Sequence, residues 1–399
     1  MHMRPDHSIC VQCKGGRRLC GLDYCPHIQR LNCQTLAAPE LKQDVFGPSP
    51  PNVFVGHYNY PNVGWGPVIS IGDNSDTPSD WYGLGYGDVI KQRSMLVRGK
   101  KMFNVKTRER LVLEVQDAVM SVKSVDMEAH FKRKPYFNMN FSSVLQPMGA
   151  IAPLEKLRIA DNPSVPRKVD SVVSEGLRAT EAVKELTGKG YENYYMMKLL
   201  TAGILGRPAD RKLVPTRWGI TAMDDMMGKQ MMERIRTYEQ IVDFTVFSNE
   251  YLHNHFEILL MPGSWEYEGF EAWAPGTVWT QGATGYKVIG EYEPNGGRTR
   301  YAEKQGGGYY AARFGVCEGL ERLRKQARVI VFREIYEGYM LPMGVWVIRE
   351  TVRKAFEKGG RKFSTREEAV EDIRSRLRVS MKEYVSESHT LRQSRLNDF

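Results

Sequence analysis

Five of the six cysteines fall within the first 33 residues, and this cluster is the clearest chemical signal in the sequence. Cys10 and Cys13 form a C-x2-C pair, and Cys20 and Cys25 follow as C-x4-C after a short spacer. Four thiolates at these spacings can surround one Zn²⁺, because each short pair turns two sulfurs toward one point. Since disulfides are rare inside cells, the spacing favours a structural zinc site over a redox or incidental cluster.

The surroundings of the four cysteines supply spare ligands and positive charge. Cys33 or His27 could replace one of the four, although His27 directly follows Pro26 and is better placed to support a ligand than to be one. The spacer contains Lys14, Arg17 and Arg18, which would offset the negative charge of a Cys₄ zinc site. The metal could stabilise a small module alone, or also present these cations to nucleic acid.

The last seven residues contain the pattern Q-x-x-L-x-x-F, formed by Gln393, Leu396 and Phe399. This is the pattern by which flexible tails dock on the sliding clamp PCNA. A single 3₁₀ turn places the leucine and the aromatic ring on one side, and the glutamine hydrogen-bonds in a neighbouring pocket. The usual pattern has two adjacent aromatic residues, whereas this chain has one, which predicts weaker binding. The alternative is a polar terminus without function.

An oxygen-rich segment begins at Asp73 and includes Asp76. Carboxylate and hydroxyl oxygens of this kind can hold Mg²⁺ or Mn²⁺ for phosphoester chemistry, and both aspartates are therefore candidate catalytic residues. Trp81, Tyr82 and Arg93 follow, an aromatic and basic mixture suited to nucleic acid. Asp, Asn and Ser before proline are also ordinary turn and cap formers, so a purely structural role stays open.

Two predicted helix starts could bind phosphate, since the backbone amides of a first helical turn favour anions. One is Arg217, which precedes Asp224, a further candidate catalytic carboxylate. The other is the triple glycine that includes Gly307 and Gly308, with Arg313 in the helix that follows. The glycines lack the Lys-Ser/Thr of a P-loop, so NTP hydrolysis of that kind is disfavoured, and a plain tight turn is an equal alternative.

The segment His253-Asn254-His255-Phe256-Glu257 offers a further possible metal site. On a strand, alternate side chains share a face, so two histidines and one carboxylate would lie together. Neighbouring histidines at an exposed strand edge are the simpler interpretation. No Ser/His/Asp or Cys/His triad pattern accompanies it.

Periodicity predicts the elements that must position these residues. Leu111, Val115, Val119, Val122 and Val125 recur at three- and four-residue steps, which predicts a helix over 111–131. The remaining predictions are strands within 53–110, helices over 168–187 and 191–205, a helix from Thr221 with a buried methionine stripe, strands within 243–290, a helix to about 327, a strand over 328–336, a helix over 344–357, and a last helix capped by Ser364 and Glu367. Helices and strands without regular alternation indicate an α+β, or irregular α/β, core.

Composition excludes several classes of protein. The chain has 399 residues, of which 42% are hydrophobic and 26% charged, so it is neither disordered nor fibrous. No apolar run is long enough to span a membrane, and no signal peptide is present, which predicts a cytoplasmic protein without membrane contact. The net charge of +9 favours polyanionic partners.

The N-terminal cysteine cluster, the C-terminal clamp-binding pattern, Pro215-Thr216-Arg217-Trp218 and the triple-glycine segment together resemble the archaeal Nre family of DNA repair proteins. The resemblance covers essentially the whole chain. It implies zinc binding by the four cysteines, PCNA binding by the tail and a role on damaged DNA. It also implies a zinc module over 1–35, an N-terminal Nre core over 36–275, a C-terminal Nre region over 276–387 and a flexible tail over 388–399.

Three functional hypotheses remain. The first is a DNA repair factor, tethered by PCNA, that acts on DNA or nucleotide phosphates as a metal-assisted phosphoesterase or nuclease. The second is a non-catalytic adaptor that holds DNA or partners in repair. The third is an RNA- or ribosome-associated factor, because Cys₄ zinc modules are common among such proteins.

Overall fold

The computed structural model of the protein describes residues 38–72, 74–137, 149–275, 283–339 and 341–392. Single positions at 13, 17, 19, 25, 28, 31, 32, 34, 35, 277 and 280 are described as well. The described residues from 29 to 227 form one compact unit, and those from 228 to 392, together with the described positions up to 28, form a second. Each unit contains its own six-stranded sheet.

The strands of the first unit are β1 (Asp44–Ser49), β2 (Val53–Val55), β3 (Asn62–Ser70), β4 (Leu96–Asn104), β5 (Val125–Phe131) and β6 (Ile151–Ile159). They pair in the order β1-β5-β6-β4-β3-β2, and β4 and β6 are the parallel neighbours. Along β5, Val125, Met127, Ala129 and Phe131 are buried while the residues between them are not. This period of two is what a sheet with one covered face requires.

The helices of the first unit are α1 (Pro78–Trp81), α2 (Tyr86–Ser94), α3 (Arg110–Val119), α4 (Arg167–Glu175), α5 (Ala179–Thr187) and α6 (Asn193–Thr201), followed by α7 (Thr216–Ile235), which continues past residue 227. Helix α6 is buried along nearly its whole length, and Lys198 is its single charged residue. In α7, Met227, Met231 and Ile235 are buried, which confirms that the methionine stripe fills core space.

The strands of the second unit are β7 (Phe244–Tyr251), β8 (Asn254–Met261), β9 (Glu266–Trp273), β10 (Lys287–Glu293), β11 (Arg328–Ile335) and β12 (Arg361–Phe363). They pair in the order β10-β9-β11-β8-β7-β12, with β9 and β11 parallel. Every residue of β8 and of β11 is buried. Both faces of these central strands must therefore be covered.

Helices α8 (Gly307–Leu323), α9 (Trp346–Lys358), α10 (Arg366–Arg374) and α11 (Met381–Glu387) provide that cover. Ile373 and Tyr384 pack with the apolar side chains on one face of the second sheet. On the other face, the ring of Phe356 in α9 lies 4.4 Å from the ring of Phe247 in β7. Helix α8 packs directly on α9 at Gly319, where a Cβ would lie 2.5 Å from the Phe356 ring, so a glycine is needed there.

The predicted helix over 111–131 is wrong in its second half. Helix α3 ends at Val119, and β5 begins at Val125. Ser121 makes the turn between them, because its hydroxyl donates to the Lys123 carbonyl and accepts the Lys123 and Ser164 amides. Beyond the turn the buried residues alternate, and the valines that fitted a helical spacing belong to two different elements.

Other predicted boundaries move for local reasons. The helix over 168–187 is divided, because Gly176 ends α4 in the left-handed conformation with φ of 66°. Helix α7 begins at Thr216, five residues before the predicted start at Thr221. The capping pair of α10 is one residue later than predicted: Thr365 accepts the Glu368 amide, and Glu368 accepts the amide of Thr365.

The predicted mixed α+β class is confirmed for the described residues. Within them, no helix is both long enough and apolar enough to cross a membrane. The predicted apolar face over 370–384 is confirmed as well, although two helices, α10 and α11, share it rather than one.

Candidate nucleic-acid interface

A charged cluster in the first unit brings together four residues from separate elements. Asn52 precedes β2, Asp76 precedes α1, Arg93 lies in the last turn of α2, and Lys198 lies in the last turn of α6. The Asn52 side-chain amide donates to the Asp76 carboxylate, while its oxygen accepts the Val53 amide at 2.8 Å. Asp76 and Arg93, both named from the sequence, lie close enough for the charge of Arg93 to act on the Asp76 carboxylate.

Burial shifts the proton affinities of this charged cluster. Burial raises the pKa of Asp76, against the hydrogen bond from Asn52 and the charges of Arg93 and Lys198, which lower it. Burial lowers the pKa of Lys198 to about 8, and the charge of Asp76 opposes that shift only in part. A carboxylate with a raised pKa beside an amine with a lowered pKa is typical of sites that bind or transfer charge.

Arg98 on β4 extends the positive charge of this cluster. Burial and repulsion from Arg93 lower the pKa of Arg98 to about 10. Its guanidinium lies 4.6 Å from the Phe54 ring centroid and donates to the Gly149 carbonyl at 3.2 Å. Arg93 lies 5.3 Å from the ring centroid of Trp81, which is itself buried. The aromatic and basic mixture predicted after Asp76 is thus partly packed inside the unit.

A groove of about 270 Å³ lies on the same sheet and is bordered by β4 and β6. Lys100, Lys101 and Arg133 line it, and each charged side chain among its lining residues is positive. Lys100 follows Arg98 by two residues on β4, so the two side chains leave the strand on the same side. Lys100 in the groove and Arg98 beside the charged cluster therefore lie on the same face of the sheet.

An aromatic ring borders the groove. The Tyr136 side chain is 40% exposed, and its ring centroid lies 4.7 Å from the Arg133 guanidinium, which also donates to the Tyr136 hydroxyl at 3.1 Å. The backbone of Tyr136 exchanges two hydrogen bonds with Ile151, at 3.0 and 2.9 Å, so the ring is carried by a fixed segment. An exposed ring among three cations suits a nucleic-acid strand.

Helix α7 places Arg217 and Asp224 differently from the prediction. Arg217 is exposed in the first turn, where the Thr216 hydroxyl accepts the Val55 amide at 2.9 Å. Its charge adds to burial in lowering the pKa of His57. Asp224 is fully buried. It lies in the middle of α7, because the helix starts at Thr216. Asp224 is therefore not at a helix start.

The triple-glycine segment and Arg313 lie in the second unit, where Gly306 and Gly307 are half-buried and Gly308 and Arg313 are buried. A Cβ on Gly308 would lie 2.7 Å from an oxygen of Glu271, so a protein carboxylate already occupies the space beside this helix start. Arg313 is fully buried, and its Nη1 lies 2.6 Å from an oxygen of Glu293. In this structure the charge of Arg313 thus serves a core ion pair.

The histidine-rich strand start does not form the predicted metal triad. His253 lies in a turn with φ of 59°, outside β8. His255 and Glu257 are 2.9 Å apart, but Glu257 is also held by two hydrogen bonds from Arg376, at 2.7 and 2.8 Å. Nowhere in the described part of the chain do three His, Cys, Asp or Glu side chains lie close enough together to hold a metal.

Several predicted site residues lie outside the described residues: Cys10, Cys20, Asp73, Gln393, Leu396 and Phe399. Of the predicted zinc ligands, Cys13 is buried and Cys25 is half-buried. The zinc and PCNA sites accordingly stay predictions. Cys317 is fully buried, and burial raises the pKa of its thiol, as expected of a core residue.

The segment that leads into the C-terminal seven residues is anchored in the second unit. Glu268 accepts the Ser388 hydroxyl at 2.5 Å and the backbone amides of His389 and Thr390 at 2.6 and 3.1 Å. Leu391 is buried in the core cluster of the second sheet. Residues 388–391, which the prediction placed in a flexible tail, are thus held in place.

Sequence analysis missed the residues that line the groove and also Lys198. Two signals were present: the basic runs 98–101 and 132–134, and a single lysine inside the otherwise uncharged and mostly apolar helix α6. A lysine is rarely buried without a reason, so its position in an apolar helix is informative. The proximity of the two basic runs depends on the parallel pairing of β4 with β6 and could not be derived from either run.

The fold and the site define this protein as an α+β protein of two units with a cationic, aromatic-bordered groove on one sheet. Two family models match the chain: archaeal Nre, N-terminal, over residues 19–280, and archaeal Nre, C-terminal, over residues 293–399. The chain therefore belongs to the archaeal Nre family, which confirms the resemblance drawn from its motifs.

Curated relatives agree with this assignment over nearly the full length. DNA repair protein NreB of Archaeoglobus fulgidus is 37% identical over 391 residues, covering 97% of each chain. DNA repair protein NreA of the same organism is 36% identical, covering 90% of this chain and 92% of the relative. DNA repair protein NreA of Haloferax volcanii is 34% identical, covering 84% of each chain. No solved structure matches.

Proposed function

We propose that this chain is a DNA repair factor that holds the DNA backbone in the groove formed by Lys100, Lys101 and Arg133. Three relatives that align over most of their length are named DNA repair proteins. The groove supports a direct role on DNA, because phosphate contacts from Lys and Arg supply most of the affinity of a protein for DNA. The observation that carries the proposal is that all three charged residues lining the groove are positive.

The proposal extends to recruitment by PCNA through Gln393, Leu396 and Phe399. The spacing of these residues supports it, and so does the anchoring of residues 388–391, which fixes the point from which the tail leaves the second unit. A tail docked on a clamp raises the local protein concentration on DNA without a tight DNA contact. A structural Zn²⁺ bound by Cys10, Cys13, Cys20 and Cys25 belongs to the same proposal.

Among the described residues, the geometry favours a binding adaptor over a metal-assisted nuclease. A metal site for phosphoester chemistry needs several oxygen ligands together, and Asp76 instead lies beside the cations Arg93 and Lys198. Mg²⁺ or Mn²⁺ at this loop would need a second carboxylate beside Asp76, and the segment offers Asp73 and Asp80. The perturbed pair of Asp76 and Lys198 keeps a catalytic form as the second candidate.

The groove is tested by measuring the salt dependence of DNA affinity. We expect full-length Lys100→Gln/Lys101→Gln/Arg133→Gln to bind a fluorescent duplex at least about tenfold more weakly, and its log Kd against log [NaCl] slope to fall by about 0.9 for each phosphate that the variant no longer neutralises. The matched control is Lys184→Gln/Lys189→Gln/Lys212→Gln, which removes the same charge from exposed sites of the same unit. Equal slopes for the two triple variants would contradict the proposal.

A cleavage assay separates the adaptor from the enzyme. The purified protein is incubated with nicked, branched and single-stranded DNA and either Mg²⁺ or Mn²⁺. We expect bound DNA without product. Product that disappears in Asp76→Asn but persists in Asp80→Asn, an exposed neighbour, would instead establish the catalytic form.

Recruitment is tested by calorimetry with PCNA from the same organism. The intact chain is expected to bind the clamp, and a chain that lacks residues 393–399 is expected to give no heat while its thermal unfolding is unchanged. Equal binding by both chains would remove the tail from the proposal.

A further inference from the structure

Three aromatic side chains of the first unit are exposed, two of them in contact and the third, Tyr58, two residues before Tyr60 in the same segment. Tyr58 is 70% exposed, Tyr60 is 42% exposed, and Trp218 is 46% exposed. The rings of Tyr60 and Trp218 lie 5.2 Å apart, and those of His57 and Tyr58 lie 4.2 Å apart. Large aromatic rings normally contribute their area to a core, so a group of them at the surface points to a ligand.

The segment that carries the tyrosines is held by the structure. The Thr216 hydroxyl accepts the Val55 amide at 2.9 Å and so ties the end of β2 to the start of α7. The Pro61 carbonyl accepts the Val105 amide at 2.9 Å, immediately after Tyr60. Because both sides of the segment are fixed, the rings can meet a flat ligand with little loss of conformational entropy.

The charge beside these rings is positive. Arg217 is exposed next to Trp218, and its charge, together with burial, lowers the pKa of His57. Burial and the neighbouring Arg217 charge, by lowering the pKa of His57, both favour its uncharged ring, the form that stacks. On α7, the residues one turn beyond Trp218 are Thr221 and Ala222, which carry no charge. The surface thus offers aromatic faces beside a cation, the combination that binds single-stranded nucleic acid.

We propose that Tyr58, Tyr60 and Trp218 form a stacking surface for unpaired DNA bases, with Arg217 contacting the adjoining phosphate. This inference rests on the proposed function, since it assumes that the chain binds DNA. It adds the class of substrate. A duplex hides the faces of its bases, so this surface selects single-stranded DNA, whereas the groove of Lys100, Lys101 and Arg133 contacts the backbone of either form.

The test compares binding of a fluorescent 20-nucleotide dT strand and a 20-base-pair duplex by the full-length protein. We expect Tyr58→Ala/Trp218→Ala to weaken single-strand binding at least about tenfold, as the loss of base stacking predicts. Duplex binding should change less than about twofold. Phe46→Ala is the matched control, because Phe46 is 68% exposed in the same unit and lies outside the surface.

A second variant and a spectroscopic signal protect the test against misfolding. Tyr58→Phe keeps the ring and should retain single-strand affinity, which distinguishes stacking from loss of a hydroxyl. The emission difference between the wild type and Trp218→Phe reports Trp218 itself, and bound dT should quench it.

Each result decides the inference. If the wild type binds single-stranded DNA and Tyr58→Ala/Trp218→Ala binds it equally well, the stacking surface is overturned while the proposed function stands. A protein partner would then be the expected ligand of these rings. Wild-type protein that binds neither DNA would overturn the proposed function as well, which keeps the two failures distinct.

Discussion

Replacement of Arg313 by methionine removes the cation from an ion pair in which neither side chain is exposed. The Arg313 Nη1 atom lies 2.6 Å from a Glu293 oxygen that also accepts the Tyr309 hydroxyl at 2.7 Å. The variant leaves that carboxylate in the core without its cation, which costs about 3–5 kcal/mol of unfolding free energy. Because 1 kcal/mol corresponds to about 2–4 °C for a unit of this size, the thermal unfolding midpoint should fall by about 6–20 °C.

The assay is urea unfolding of the full-length chain followed by circular dichroism, with DNA affinity measured on the folded protein. We expect Arg313→Met to lose stability and to keep the DNA affinity of the wild type. The double variant Arg313→Met/Glu293→Gln should recover part of the loss, because the unpaired charge is gone. Arg322→Met, an exposed position of the same helix, should change stability by less than about 0.5 kcal/mol.

Two outcomes would refute this reasoning. A loss below about 1 kcal/mol in Arg313→Met would mean that the pair is not a buried ion pair of the expected kind. Weaker DNA binding at unchanged stability would return Arg313 to the role of phosphate ligand that its sequence position suggested.

Three further predictions concern other sites. The pKa of Lys198 is about 8 in the fold against its ordinary value of 10.5, so between these pH values the unfolded chain binds more protons than the folded chain. The free energy of unfolding of the wild type, measured by urea titration relative to Lys198→Met, should therefore rise by about 2–3 kcal/mol over pH 8–10.5. The same pH dependence in both proteins would contradict this. Glu268→Gln weakens the acceptor of three hydrogen bonds from residues 388–390. We expect the free energy of unfolding to fall by about 2–3 kcal/mol in the same urea assay, and proteolysis at residues 388–390 to become faster. An unchanged free energy and proteolysis rate would show that this anchor is weak. One zinc per chain should be released on thiol modification of the wild type and not of Cys13→Ser/Cys25→Ser, as a metallochromic dye reports; a metal-free wild type would refute the zinc module.

Some local structure could be predicted because it depends on neighbours in the sequence. The apolar run of β11 and the helix that ends at Lys358 were found near their observed bounds. The same local logic failed at 111–131, where valines from a helix and from a strand happened to share one spacing. Periodicity reports which side chains are buried, and a serine turn between two elements leaves little trace in it.

The site was only partly predictable for the same reason. Asp76 and Arg93 were identified from residue type, whereas Lys198 joins them from a helix more than a hundred positions away. Gly307, Gly308 and Arg313 had the composition of a phosphate site, yet Glu271 lies against Gly308 and Glu293 pairs with Arg313, each from a distant strand. The type of a residue shows which chemistry its side chain is capable of, whereas its neighbours in the fold determine which role it has.

By itself, the sequence determined the family and the mixed α+β class, and its short spacings supplied the cysteine cluster and the Q-x-x-L-x-x-F pattern on which the zinc and PCNA proposals rest. Only the tertiary structure decided which charges are exposed and which are neutralised. Pairing of β4 with β6 brings two separate basic runs to one groove, and burial in the second unit turns Arg313 toward a carboxylate. Contacts between residues far apart in the chain depend on how the elements pack, and a short stretch of sequence does not show that packing.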